Sequence, residues 1–138
     1  MSQRRHKART LAMQAIYQWQ LTGDNLGDIC NQFLEREDSK TFNSGFFREL
    51  MHGVPMNLKE VDAALGPALD RSVESLDPVE RAIVRLGTYE LMRHPEVPYR
   101  VVINEWVEVD KDYGSEQGHK FVNGVLDKLS RQMRTLEN

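Results

Sequence analysis

The 138-residue sequence predicts an all-α fold on three observations. Apolar residues recur every three to four positions through most of the chain, which is the period of a helix buried on one side. No segment alternates apolar and polar residues over the length that a half-buried strand needs. Helix start and stop residues separate the periodic segments. With 40% hydrophobic and 28% charged residues, a chain of this length is expected to form a single domain around its own core.

The first two helices are predicted from an apolar stripe and its end signals. The first helix carries one stripe from Ala8 to Trp19, runs to about Leu21 and stops at Gly23, because glycine readily adopts the conformation that ends a helix. The second helix covers about 25–37 and carries the single cysteine, Cys30, on its apolar side. We therefore expect this thiol to be buried as a small apolar group.

The third and fourth helices complete an N-terminal half that we place at about 1–70. Ser44 is expected to cap the third helix. Gly53 and Pro55 are expected to end it. The fourth helix begins near Leu58 and is bent or ended at Gly66-Pro67.

The fifth helix has the strongest start signal in the chain. Asp77 can accept from the amide of Glu80, Pro78 suits the first turn, and Glu80 can reach back to form a capping box. This helix is predicted to last to about Arg93, just before a proline.

Two further helices complete a C-terminal half at about 71–138. One follows Pro98 and ends at Gly114, with an apolar stripe made of Val102, Trp106, Val109 and Tyr113. Ser115 is expected to cap the last helix, which runs to about Met133. The complete prediction is a compact domain of about seven helices in two packed halves.

Composition and motifs exclude several classes of protein. One cysteine excludes an intramolecular disulfide and a thiolate metal cluster. No apolar run approaches the roughly 20 residues that span a bilayer. The sequence has no nucleotide-binding glycine loop, no H-E-x-x-H pair and no G-x-S-x-G elbow. We therefore expect a cytoplasmic protein that is not an enzyme and that binds no membrane, cofactor or metal.

Charge is distributed unevenly along the chain. Four cations precede the first acidic residue, Asp24, although the whole chain carries a net charge of −3. We call these four the basic arm: Arg4, Arg5, Lys7 and Arg9. A local patch of this kind favours an anionic partner such as RNA. A solvated N-terminal tail is the alternative that charge alone leaves open.

The last predicted helix has a second side that a core does not explain. Next to its apolar stripe lie Gln117, Lys120, Phe121, Gly124, Lys128 and Arg131. Lysines can contact phosphates, an aromatic ring can stack on a base, and a glycine lets a ligand backbone approach closely. A solvated basic face with Phe121 at the edge of the core is the alternative.

Two other helices also place residues away from their core stripes. Tyr17 projects roughly opposite Ala12 and Ala15, so it faces either a partner or a second buried side. On the fifth helix a second stripe could receive a protein partner, and it consists of Glu80, Val84, Gly87 and Leu91. Glu90 falls within the core stripe of that helix, where a buried charge requires a hydrogen-bonding partner.

Several short segments stand out along nearly the whole chain. They are RRHKAR (4–9), QAIYQWQ (14–20), DPVERAI (77–83), YEL (89–91), VPY (97–99), INE (103–105), GSE (114–116) and HKFVNGVLDK (119–128). Together they resemble the bacterial transcription antitermination factor NusB family, and the last segment is the most specific.

This resemblance implies an all-α fold without catalytic activity and with three partners. These are NusE, a small-subunit ribosomal protein; the boxA element of nascent RNA, notably ribosomal RNA leaders; and the RNA polymerase antitermination complex. The RNA-binding residues, with Lys128 added from the same helix side, are Arg4, Arg5, Lys7, Arg9, Gln117, Lys120, Phe121, Asn123 and Lys128. The partner-binding residues, with the rest of the second stripe added, are Tyr17, Glu80, Val84, Gly87 and Leu91.

Some positions depart from the family pattern. His6-Lys7 interrupts the arginine run, and Trp106 and Asp110 stand where small residues are usual, which predicts local repacking. Gln117 replaces a frequent acidic residue. Because an amide can donate as well as accept hydrogen bonds, this change leaves the discrimination of boxA open at that position.

Two functions from other classes remain as alternatives. The same helical fold occurs as the RNA-binding appendage of certain RNA cytosine methyltransferases, but such an enzyme needs a cofactor-binding α/β domain and a nucleophilic cysteine, which this sequence lacks. A protein-interaction module that binds NusE without touching RNA is the second alternative, because a basic arm alone does not establish RNA contact.

Overall fold

The computed structural model describes residues 2–137, and the regular structure in that range is entirely helical. The α-helices are α1 (Ser2–Thr22), α2 (Leu26–Arg36), α3 (Ser44–Met56), α4 (Leu58–Leu65), α5 (Pro78–Arg93), α6 (Tyr99–Tyr113) and α7 (Gly118–Met133). Two 3₁₀ turns, Gly66–Ala68 and Val73–Ser75, connect α4 to α5. The prediction of an all-α fold with about seven helices is confirmed. Within residues 2–137, no helix has the length and apolar character needed to cross a membrane.

Helix α5 is the centre of the fold. It packs against α1, α3, α4, α6 and α7, and every residue at positions 82–91 is buried. The core around it is continuous from Ala8 in α1 to Leu129 in α7. The other helices are therefore positioned relative to one another through α5.

The two predicted halves are in direct contact. Helix α1 packs against α5 and α6, which lie beyond the expected boundary near residue 70. The segment between α4 and α5 also contacts α7 through its first 3₁₀ turn. The division of a single domain into two halves at this position stays a prediction.

Helix ends in the N-terminal part follow the predicted residues with one shift. Gly23 ends α1 with a φ of 69°, a conformation that glycine adopts without strain. Asn43 caps α3, since its side chain accepts from the amide of Phe46 at 3.0 Å. The prediction that Ser44 caps this helix is therefore wrong by one residue. Asparagine and serine are nearly equivalent as caps, so spacing alone does not separate them.

Helix α3 continues through both residues that were expected to stop it. Gly53 is buried, and a β-carbon there would overlap the ring of Tyr89 on α5. This glycine therefore permits close packing of two helices and does not end one. Pro55 lies in the last turn before Met56. Its missing amide donor leaves only one helical hydrogen bond unmade there.

Three predictions about residues in or next to the loop between α6 and α7 are wrong. Ser115 does not cap α7, because residues 115–118 form a turn closed by the Gly118 amide and the Ser115 carbonyl at 3.0 Å. Glu80 does not complete a capping box, since its side chain accepts from the amide of Ser115 at 3.2 Å. Tyr113 ends the predicted apolar stripe of α6 but is exposed.

Candidate functional site

A groove runs along one side of α7, opposite the segment that joins α4 to α5. Its first part is a cavity of about 210 Å³ lined by Lys120, Phe121, Gly124 and Lys128 on α7 and by Ala68 and Asp70 across from them. A second cavity of about 240 Å³ continues past Phe121 and includes Arg71, Ser115 and Gln117. We call these two cavities the α7 groove. The structure thus brings together Gln117, Lys120, Phe121 and Lys128 as predicted.

The first cavity of the α7 groove carries net positive charge. Lys120 and Lys128 are both exposed. The one acidic side chain lining the first cavity, Asp70, is 3.1 Å from Arg71. A hydrogen bond from Arg71 lowers the pKa of Asp70, so this carboxylate is ionised at neutral pH and its charge is compensated by the arginine. The two lysines are left to attract an anion.

Phe121 occupies the centre of the α7 groove. Its side chain is half-buried, packs against the core and lines both cavities. A β-carbon at Gly124, one turn further along, would meet nothing within 4 Å. An aromatic ring beside an open glycine surface leaves room for a planar group to lie against it.

Asn123 lies on a different side of α7 from the groove. With Tyr99, Arg100 and Asn104 of α6 it lines a cavity of about 510 Å³. Arg131 lines the same cavity, and its Nη2 is 3.1 Å from Asp127. The predicted RNA-facing set is therefore divided between two sides of α7.

Three members of the basic arm lie on or near the surface, against the first turn of α3 and the loop before it. Arg4 donates to the carbonyl of Phe42 at 3.1 Å, and the guanidinium of Arg5 lies 4.6 Å from the ring centre of Phe46. Lys7 donates to Thr41 Oγ1 at 2.9 Å. These contacts hold the arm in place and leave its cationic groups partly exposed.

Arg9 is buried, unlike the rest of the basic arm. Its side chain is 3% exposed and donates to both oxygens of Glu90, at 3.0 and 2.7 Å, and to Glu105 at 2.9 Å. The prediction that Arg9 contacts RNA is wrong for this structure, because the guanidinium is already paired in the core. Glu90 has the partner that its position in the core stripe requires.

Helix α6 lies between the basic arm and α7. His6 Nδ1 is 3.2 Å from Glu105 Oε1, and the neighbouring Asn104 lines the cavity that contains Asn123. Arg100 lines the same cavity and is exposed. The arm, the α6 surface and α7 therefore follow one another around the molecule.

A second surface lies at the end of α1. Tyr17 is 37% exposed and Leu21 is 54% exposed, so Tyr17 does not face a second buried side. We call these two residues the α1 surface. An exposed aromatic ring with apolar area beside it is common at protein-binding surfaces. Trp19 lies on the core-facing side of α1, opposite Tyr17, and lines a cavity of about 390 Å³ with Gly23 and Arg81.

The second stripe of α5 is covered by the chain itself. Val84 has no exposed surface, Leu91 is 2% exposed, and a β-carbon at Gly87 would lie 2.8 Å from both methyl carbons of Leu126. The prediction that Val84, Gly87 and Leu91 receive a partner is wrong, because α7 packs on them. Glu80, at 6% exposed, is also inside the fold.

Sequence patterns did not single out two of the cations that line these cavities. Arg71 lies in an irregular connection with no helical period. Arg100 lies at the start of α6 and has no neighbouring cation in that helix turn to mark a basic patch. Each becomes part of a surface only when a distant helix packs beside it. The histidines, cysteine and acidic residues within 2–137 form no group of three that could hold a metal ion.

The matches to known proteins extend over nearly the whole chain. Residues 6–131 match the model of the NusB family. A transcription antitermination protein NusB of Pseudomonas savastanoi pv. phaseolicola is 52% identical over 136 residues, covering 99% of this chain and 82% of that protein. The corresponding protein of Nitrosococcus oceani is 48% identical, covering 99% of this chain and 92% of that protein.

Solved structures of NusB proteins also superpose on nearly the whole chain. The T. maritima NusB structure superposes with a TM-score of 0.83 at 32% identity, over 92% of this chain and 90% of that one. A crystal structure of the antitermination factors NusB and NusE in complex with dsRNA superposes with a TM-score of 0.81 at 29% identity, over 96% of this chain and 99% of that one.

Proposed function

The chain belongs to the NusB family of transcription antitermination proteins, and we propose that it binds RNA in the α7 groove and NusE on the α1 surface. The RNA target that we propose is boxA of nascent transcripts, and the complex then acts on RNA polymerase in the cytoplasm. The role requires no catalytic step by this chain. Binding, and not bond chemistry, is the activity that its surfaces support.

The observation that carries the RNA proposal is the pair of exposed lysines that line one cavity with Phe121. Lys120 and Lys128 can each neutralise a phosphate, and the ring beside them offers a stacking surface to an unpaired base. Stacking on an aromatic side chain is the usual way in which proteins bind single-stranded RNA. The α7 groove therefore combines the two elements of such a site.

The basic arm supports the same proposal through its position in α1. Arg4 and Arg5 lie in the first turn of α1, which contains no acidic residue, and Lys7 follows in the next turn. The positive end of the helix dipole disfavours each cation in the first turn by a few tenths to about 1 kcal/mol. These cations lower the stability of the helix, and binding of an anion would account for their presence there.

The α1 surface supports the NusE proposal. Tyr17 and Leu21 expose apolar area on a fold whose other large apolar residues are mostly buried. Tyrosine is among the residues that most often anchor a protein interface, because its ring supplies a large contact area and its hydroxyl a hydrogen-bonding group.

The RNA proposal is tested by filter binding of a boxA oligonucleotide and a scrambled one, with and without NusE. The double variant Lys120→Ala/Lys128→Ala is expected to weaken boxA binding at least tenfold, because about 1.4 kcal/mol of lost interaction corresponds to a factor of ten. Lys59→Ala, which removes an exposed lysine from α4, is the matched control and is expected to bind normally.

The same assay distinguishes an RNA-binding protein from a module that binds NusE without touching RNA. Binding of NusE with no RNA affinity gained by the chain or the complex would make the chain an interaction module alone. If Lys120→Ala/Lys128→Ala and Lys59→Ala lose the same amount of boxA affinity, RNA binds elsewhere on the surface. Circular dichroism of each variant checks that the helices are intact.

A further inference from the structure

Two carboxyl groups are buried together where α5, α6 and α7 meet. Asp110 has no exposed surface, and Glu80 is 6% exposed. A β-carbon at Gly114 would overlap oxygens of both side chains, and one at Gly118 would lie 2.5 Å from Asp110 Oδ2 and 2.5 Å from Glu80 Oε2. The two carboxyl groups therefore occupy one small space beneath the loop 114–118, and the glycines leave room for them.

Few donors reach this pair of carboxyl groups. The amide of Ser115 donates to Glu80 at 3.2 Å, while neither oxygen of Asp110 has a donor other than Glu80 among the described residues. Two ionised carboxylates at this separation repel each other, and burial strengthens the repulsion. One proton held between them removes that repulsion and supplies the missing donor.

The surrounding charges do not supply enough positive charge to ionise both groups. Asp77, at the start of α5, adds negative charge, whereas His119 of α7 favours the ionised form of Asp110. Arg71 lines the neighbouring cavity. Burial, with the hydrogen bond and charge of Asp110 adding to it, raises the pKa of Glu80 to about 8. Burial raises the pKa of Asp110 as well.

The loop above the pair leads directly into the α7 groove. Ser115, Gln117 and Gly118 line its second cavity together with Glu80 and Phe121. Any movement of loop 114–118 therefore changes the end of the groove where Gln117 and Phe121 lie. The carboxyl pair contacts this loop from below through the Ser115 amide.

We propose that Asp110 is a positioning residue that shares one proton with Glu80, and that the protonated pair holds loop 114–118 and the end of the α7 groove in the conformation that binds RNA. The last step of this inference rests on the proposed function, whereas the shared proton and the loop do not. Loss of the proton places a second charge in the buried space. The two carboxylates then separate, and the loop above them moves.

The shared proton is tested without RNA by carbon-detected NMR of the side-chain carboxyl groups across about pH 4 to about pH 10. In the wild-type chain, the Glu80 carboxyl is expected to titrate near pH 8, and the amide signals of Ser115 and Gly118 are expected to follow the same curve. In Asp110→Asn, Glu80 is expected to titrate at lower pH, the Ser115 amide that is bonded to it should follow that lower curve, and the Gly118 amide should no longer titrate near pH 8. Asp112→Asn, an exposed carboxylate on the same helix, is the matched control.

The connection to RNA is tested by measuring the affinity for single-stranded boxA RNA over the same pH range. If only the protonated form binds, one pH unit above the pKa leaves about one tenth of the chains competent, so affinity falls about tenfold. Asp110→Asn is expected to lose this pH dependence and Asp112→Asn to keep it.

Two results would overturn the inference. One is a wild-type chain in which neither Glu80 nor Asp110 titrates above the ordinary carboxyl range, a result that needs no variant to fold. The other is an Asp110→Asn chain with the wild-type pH profile of the loop amides. Failure of RNA to bind at every pH would instead reject the proposed function, and the carboxyl and amide titrations still decide whether the proton is shared.

Discussion

Arg9 and Glu90 form a bidentate ion pair in the core, with Arg9 Nη2 2.7 Å from Glu90 Oε2 and Arg9 Nε 3.0 Å from Glu90 Oε1. Trp106 Nε1 also donates to Glu90 at 2.9 Å. The pair joins α1 to α5, and the tryptophan adds α6 to the same carboxylate. A cation from the basic arm thus stabilises the fold and is not available to bind RNA.

Removing Arg9 should destabilise the protein without changing how RNA binding depends on salt. Arg9→Ala leaves Glu90 buried beside Trp106 without its cation, and breaking a buried pair in this way costs about 3–5 kcal/mol. Urea unfolding should show that loss. Arg9→Met/Glu90→Gln should recover part of it, because both charges are gone and the amide oxygen can still accept from Trp106. If folded Arg9→Ala binds RNA with a smaller dependence of log K on log[salt] than the wild type, Arg9 contacts RNA after all.

Tyr17→Ala should weaken NusE binding while the chain stays folded. Tyr17 is 37% exposed, so its removal costs some packing, whereas an aromatic anchor at an interface commonly contributes about 2 kcal/mol or more to binding. Isothermal calorimetry with NusE measures the affinity. Tyr113→Ala removes a tyrosine of similar exposure, 48%, from α6 and should bind NusE normally. Equal affinity of both variants and the wild type would remove Tyr17 from the interface.

Glu80→Lys is a poor test of the same interface. Glu80 is 6% exposed and lies against Asp110, so a lysine there has to displace the loop above it. We expect this variant to lose stability in urea unfolding along with any loss of NusE affinity. The resemblance assigns Glu80 to the partner, but the structure gives it an internal position.

Stability should decrease as pH rises through the titration of His94. Its Nε2 is 2.6 Å from Glu49 and its Nδ1 is 2.8 Å from Glu96. Burial opposes the charged imidazole, but the two carboxylates outweigh it and raise the pKa of His94 above 6.5. A raised pKa means that the folded chain holds a proton more tightly than the unfolded chain. This contribution is complete below about pH 6.5 and is lost as pH passes the raised value.

His94→Gln should flatten that part of the stability profile. Unfolding free energies from urea titrations at several pH values provide the measurement. Glu80 also lowers stability as pH rises, because its pKa of about 8 lies above its ordinary 4.5. The pH profile of each variant is therefore compared with that of the wild type, which is not expected to be constant. His52→Gln is the control, since His52 bonds to the carbonyl of Arg48 in its own helix. An unchanged slope in His94→Gln would show that the carboxylates do not hold its proton.

Local sequence signals predict most of the helices but not what covers each side of them. Asp77 and Asn25 cap their helices because a side-chain oxygen three residues before an amide is a short-range relationship. The second stripe of α5 is different. Val84 and Leu91 have the same periodicity whether a partner or α7 packs on them, and only the tertiary fold decides.

The candidate site likewise has a part that local sequence predicts and a part that depends on tertiary packing. Lys120, Phe121 and Lys128 are predicted to share a face because they are close in sequence on one helix, and the structure places them in one groove. Arg9 cannot be separated from Arg4 and Arg5 by charge alone, since burial depends on a glutamate 81 residues away. The pairing of Glu80 with Asp110 likewise depends on the close approach of α5 to the end of α6.

RNA binding should depend strongly on salt, with a slope set by the accessible cations. With about three or four phosphates neutralised, log K should fall with log[salt] at a slope of about −2 to −3, using about 0.7 per phosphate for single strands. Arg4→Ala/Arg5→Ala should lower both the affinity and the magnitude of this slope. Filter binding of the NusE complex over a salt series measures both. An unchanged slope would remove the basic arm from the RNA contact.

Phe121→Ala should weaken boxA binding while leaving the salt slope nearly unchanged. A ring that stacks on a base contributes about 1–3 kcal/mol and neutralises no phosphate. Lys120→Ala, one position away on α7, is the matched comparison, because it should reduce the slope by about 0.7. Phe121 also packs against the core, so thermal melts of the NusE complex must show that the variant remains folded at the assay temperature. Phe121→Leu helps to separate the two roles, since leucine fills much of the apolar space but offers no ring to a base. If Phe121→Leu binds boxA as tightly as the wild type, Phe121 acts only through packing at the edge of the core.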